Sequence, residues 1–171
     1  SAPENVSWTL NIRGFDSKFS PLTNSYLLID NEKNLFFFDD LKKIDKKFKK
    51  KYNFLKIIDI KLLDDFFKNI NNKKIEIDNK TCSLYFQNIL KDKNFILEKS
   101  NLIYRLKAIK NNTEIKNTFK SHLLDGVALT KFLIWVKKNY FRKKITEISA
   151  QKKLYSFRKE NKSFKFSSFP T

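Results

Sequence analysis

His122 is the only histidine of this chain, and Asp125 follows it three residues later. On a helix that spacing puts both side chains on one face, where they could hold a metal ion. A metal site or a catalytic triad would rest on that single imidazole, so a surface histidine bonded to a neighbour is the favoured reading. Cys82 is the only cysteine and has no Cys or His at ligand spacing, which makes a buried apolar thiol the expectation rather than a nucleophile. Asp39-Asp40 and Asp64-Asp65 are adjacent carboxylates. Neighbours on a helix diverge by about 100°, so these read as an N-cap and a solvated face, not as acid/base pairs. Two glycines leave no Gly-rich loop to cradle a phosphate. The run Lys42–Lys51 is the strongest polyanion patch, and Ile44 and Phe48 inside it mark the face that packs inward. Taken alone, these residues support no catalytic site.

The net charge of +18 invites a nucleic-acid reading, but its construction weakens the invitation. Of 36 basic residues, 32 are Lys and 4 are Arg, whereas bidentate recognition of bases and phosphates favours the Arg fork. With abundant Asn, Ile and Phe, the lysines read as the drift of an AT-rich genome. No specific nucleic acid is expected, only salt-sensitive, non-specific polyanion binding. The longest stretch without a charge, Phe19–Ile29, is far too short to span a bilayer, so no membrane is expected either. One cysteine and no apolar leader suit a cytoplasmic location.

The elements that would position any site alternate in type. Val6–Ile12, rich in β-branched and aromatic residues, predicts a strand closed by Arg13-Gly14. Ser25–Asp30 and Asn34–Phe38 predict a hairpin. Leu41, Ile44 and Phe48 predict a helix ending near Tyr52, with its N-cap at Asp39 or Asp40. Strands follow at Leu55–Ile58, Lys74–Ile77 and Phe95–Glu98, with helices at Asp59–Ile70 and Thr81–Leu90 between them. This order predicts an α/β fold with a mixed sheet flanked by helices in three layers. Asn111 and Glu114 form a capping-box pattern that opens a helix of nearly thirty residues, ending near Tyr140. From Leu123 its apolar residues cover most of the circumference. Such a rod wants burial on several sides, and the thirty or so residues after it are too few to supply that. Ser149 predicts the cap of a last helix, Ala150–Glu160, before a Phe-rich terminal strand.

Two blocks carry a family resemblance. The first, Trp8-Thr9-Leu10-Asn11-Ile12-Arg13-Gly14-Phe15-Asp16, is similar to the W-L-x-N-I-R-G-x-D motif that opens the second domain of long-form Xaa-Pro aminopeptidases (aminopeptidase P), members of the creatinase/prolidase-like metallopeptidases. The second, Arg105 to Thr171, includes Lys107-Ala108-Ile109-Lys110 and Thr146-Glu147-Ile148-Ser149-Ala150 and closes on Ser168-Phe169-Pro170-Thr171. It resembles the linker and first helices of that family's pita-bread catalytic domain.

The resemblance implies two parts: a creatinase-type second amino-terminal domain over 1–104, and the opening of a truncated pita-bread domain over 105–171. It implies a parent enzyme that uses a dinuclear metal centre, usually manganese, to remove the residue before a penultimate proline. The two Asp, one His and two Glu of that centre would all fall after Thr171, so this piece is expected to hold no metal and to be inactive alone. Asn11 and Arg13 match the motif and are the candidate substrate-cleft residues, with a purely structural role for Arg13 and Asp16 an equal alternative. The partners implied are a peptide with a penultimate proline, the remainder of the same protein, and a second copy in a homodimer. Two rival readings are a Lys-rich nucleic-acid-binding module and a protein-interaction module docking through the apolar half of the long helix.

Overall fold

The computed structural model describes residues 2–142 and 144–169. Its residues divide into two compact units, 1–108 and 109–171.

The first unit opens with helix α1, Pro3–Thr9, where a strand was expected. The period-2 pattern Val6, Trp8, Leu10, Ile12 competes with the period-4 pattern Ala2, Val6, Leu10, and the latter wins. Those three residues are buried, Pro3 starts the helix and Glu4 sits in its first turn. Strands β1 (Tyr26–Ile29) and β2 (Leu35–Asp39) form the expected hairpin, with Tyr26 opposite Phe38 and Ile29 opposite Leu35. Asp30 closes it by accepting from the Asn34 N–H at 2.8 Å.

The helix expected after β2 is broken in two. Leu41–Lys43 is a 3-10 turn capped by Asp40, and Asp45 caps helix α2, Lys46–Lys51. Strand β3 (Leu55–Asp59) then pairs parallel with β2. A 3-10 turn leads into α3 (Leu63–Lys68). Next come β4 (Lys74–Ile77), α4 (Leu84–Lys93, capped by Ser83) and β5 (Phe95–Glu98), the last parallel to β4. The fold is mixed α/β, its sheets flanked by helices, and the strands divide into a three-stranded sheet β1-β2-β3 and a two-stranded sheet β4-β5. Helix α5, Leu102–Ala108, closes the unit.

Strand β2 separates two cores because its side chains alternate between faces. Phe37 points to the side of α1 and α2, packing with Val6, Leu10, Ile12, Tyr52 and Leu55. Phe38 points to the other, against Leu63, Phe67 and Leu90. Both rings are fully buried.

The second unit is built on α6, Asn112–Asn139, and α7, Glu147–Lys159. The capping box is formed as expected, with reciprocal 2.9 Å bonds between Asn111 and Glu114. At 28 residues, α6 is about 42 Å long. The cap of α7 is Thr146, not Ser149. Ser149 is the third helical residue and completes a box with Thr146. The bidentate Arg158–Asp125 pair (2.7 and 3.1 Å) and the Lys131–Glu160 pair tie α7 to α6. Residues 164–169 form no strand, and Pro170 and Thr171 lie outside the described residues. Among the described residues no helix is long and apolar enough to cross a membrane.

Candidate functional site

The loop that leaves α1 carries Asn11 and Arg13, and each residue of its motif has a physical task. The Asn11 N–H bonds to the Trp8 carbonyl at 3.1 Å, and the Ile12 N–H to the Ser7 carbonyl at 3.0 Å. These two bonds form a Schellman motif, which needs a left-handed residue just past the helix. Asn11 is that residue, at φ 50°, a conformation Asn tolerates better than most side chains. Ile12 follows as the apolar anchor, buried beside Val6. Arg13 turns back over the helix end: its guanidinium donates to the Ile12 carbonyl at 2.8 Å and approaches the Ser7 carbonyl at 3.5 Å. A cation there complements the negative end of the helix dipole. Both Asn11 and Arg13 are exposed.

Gly14 is fixed by space. A Cβ there would sit 2.8 Å from Thr23 Cβ and 2.9 Å from the Leu22 carbonyl oxygen. The loop runs against residues 20–24, where the Asp16 N–H bonds to the Leu22 carbonyl at 3.2 Å. Asp16 accepts from the Asn24 N–H at 2.8 Å and pairs with the Lys43 ammonium at 2.6 Å. Lys43 also reaches Asp39, at 3.4 Å. The Thr23 hydroxyl has one proton and gives it to Asp39 at 2.6 Å, leaving only a 3.4 Å contact with Asp16. Asp39 is 2% exposed and also accepts from the Asp40 N–H at 2.7 Å. One ammonium therefore bridges two carboxylates. The Lys43 bond holds Asp16 below the ordinary carboxylate range, with the Asn24 N–H adding to it; Asp16 in turn raises Lys43.

Of the two aspartates expected to supply an N-cap, Asp40 does the capping, of the 3-10 turn, and Asp39 instead anchors this network. The sequence holds a weak sign of this: an aspartate at the end of a Phe-rich strand. Nothing local names Thr23 or Lys43 as its partners.

The other candidates resolve into structure. Asp125 spends both carboxylate oxygens on Arg158, which lowers its pKa. His122 lies exposed on α6, so the pair is not poised as a metal site. Burial pushes the half-buried Cys82 thiol up, away from thiolate character. Asp64 accepts a bond from the Tyr85 hydroxyl. Among the described residues no group of three or more His, Cys, Asp or Glu could hold a metal ion.

Residues 1–114 match the creatinase/prolidase N-terminal domain family. The chain belongs to that family. The motif loop and both cores of this creatinase/prolidase N-terminal chain lie inside the matched region. Over its whole length the chain is 35% identical to Xaa-Pro aminopeptidase 1 of Dictyostelium discoideum and 30% identical to Xaa-Pro aminopeptidase ApepP of Drosophila melanogaster. It spans 28% and 29% of the length of those two proteins. A solved structure of an Xaa-Pro dipeptidase from Bacillus anthracis superposes with a TM-score of 0.68 over 94% of this chain and 43% of that one. At 18% identity, that likeness speaks for the fold alone.

Proposed function

We propose that this chain is the second amino-terminal domain (1–104) and the opening of the catalytic domain (105–171) of a cytoplasmic Xaa-Pro aminopeptidase. The parent enzyme removes the N-terminal residue that precedes a penultimate proline. The observation that carries this reading is the match of the entire chain, from the α1 loop to the residues after α7, to two Xaa-Pro aminopeptidases. In this reading Asn11 and Arg13 border the substrate cleft, and the Asp16–Lys43–Asp39 network holds their loop in shape.

The dinuclear, manganese-type centre implied by the resemblance does not fit the residues of this chain. The one histidine stands alone on a surface, and its nearest acidic neighbour is committed to Arg158. The piece is therefore structural and cleft-forming, with metal binding assigned to the remainder of the protein. That remainder is also the partner proposed for α6, whose Phe119 and Leu123 are 74% and 69% exposed. Assembly of the parent as a homodimer belongs to the same proposal.

The test compares cleavage of an Xaa-Pro peptide by the product of the whole gene and by the 171-residue chain, each with added manganese. Activity of the first and none of the second is expected. Turnover by the short chain, or none by the whole product, overturns the reading.

A further inference from the structure

The lysines at and just before α2 form the dense basic run of the first unit. Seven of the ten residues from Lys42 to Lys51 are Lys, against a single acid, Asp45. That carboxylate is already used, accepting from the Phe48 N–H at 2.6 Å. Phe48 turns inward and stacks on Phe37, which directs Lys46, Lys47, Lys49 and Lys50 outward, all exposed. Among the described residues none of these four forms an ion pair, and within the run only Lys43 does, with Asp16 and Asp39.

Lys49, Lys50 and Lys51 in the last turn suit the helix dipole, but the crowding of like charge works against the helix. Lys46–Lys50 and Lys47–Lys51 are like charges one turn apart, each pair costing roughly 0.2–0.5 kcal/mol. Lys46 and Lys47 also sit in the first turn, where the helix dipole disfavours a cation. Concentrated, unpaired and self-repelling, the α2 cluster is relieved by an external polyanion.

We propose that the outer face of α2 binds the phosphate backbone of a nucleic acid strand without reading its sequence. Lysine supplies point charges suited to phosphates and no planar fork for bases. Phe54, 56% exposed, lies just past the end of the helix and offers a ring for an unstacked base, an arrangement that favours a single strand.

The test uses the 171-residue chain and fluorescence anisotropy of a labelled oligo(U) of about 20 nucleotides, between about 50 and 200 mM salt. One variant carries Lys46→Gln, Lys47→Gln, Lys49→Gln and Lys50→Gln. A control carries Lys73→Gln, Lys74→Gln, Lys91→Gln and Lys93→Gln, which removes the same charge from exposed positions near β4 and α4. All eight side chains are exposed, and circular dichroism checks that both variants stay folded. The α2 variant is expected to lose affinity at least about tenfold and to lower the log–log salt slope by about 3. The control should lose less than about threefold. Equal losses in the two variants, an unchanged α2 variant, or binding to anionic vesicles but not to oligo(U) would each overturn the proposal.

Discussion

Lys43 holds the Asp16 carboxylate at 2.6 Å from a position 27 residues further along the chain. That bond ties the loop after α1 to the turn after β2, two segments that the sequence pattern treats separately.

The pair makes the first unit's stability depend on pH. Asp16, lowered by Lys43 and the Asn24 N–H, contributes above its unfolded pKa of about 3.9 and loses that contribution as pH falls through its folded value. Lys43, raised by Asp16, contributes below its unfolded pKa of about 10.4 and loses it as pH rises past the folded value. Asp16→Asn should cost at most about 1 kcal/mol near pH 7, because the Lys43 side chain is 41% exposed. The gap to wild type should narrow as pH falls below the unfolded value of about 3.9 and through the lower folded one. Urea midpoints measured across that range check this; a gap that stays constant would show the ionised pair to be irrelevant.

The two glycines should respond in opposite directions. Gly14→Ala forces a Cβ against Thr23 and the Leu22 carbonyl and should destabilise the first unit by about 1–3 kcal/mol. Gly126 lies inside α6 with nothing within 4 Å of an added Cβ. Gly126→Ala should therefore gain about 0.5–1 kcal/mol of helix stability. Thermal melts of both variants test the contrast.

Asn111→Ala removes the acceptor for the Glu114 N–H and should cost about 1 kcal/mol. The loss should appear as fraying at the start of α6 by hydrogen exchange, with the α1 amides unchanged.

Cys82 should react slowly. Burial raises its pKa, so a disulfide exchange reagent at neutral pH should modify it more slowly than a free thiol, with the rate climbing as pH rises. A rate matching free cysteine would contradict its half-buried setting.

Where local signals act alone, the sequence could be read closely. Strands β4 and β5 lie where β-branched and aromatic runs placed them, and the Asn111–Glu114 box opens α6 as its spacing indicates. Errors arose where two periodicities overlap, as in α1, or where two capping residues compete, as with Thr146 and Ser149. The long helix after Asp39 failed because Asp45 starts a second helix one turn later. Of the candidate loop, the Asn11-Arg13-Gly14 motif was visible in sequence. Its supports, Thr23 in the loop before β1, Asp39 at the end of β2 and Lys43 in the following turn, come from three separate segments that only the fold brings together.

Each parallel strand pair is closed by the helix between its own two strands. Leu35 meets Leu55 and Lys74 meets Phe95, so every partner in the two sheets lies within about twenty positions along the chain. Parallel pairing is ordinarily slow because distant segments must find each other first. Here each pair spans a single helical crossover, so the two sheets are expected to nucleate separately, with α1 completing the core around Phe37 afterwards.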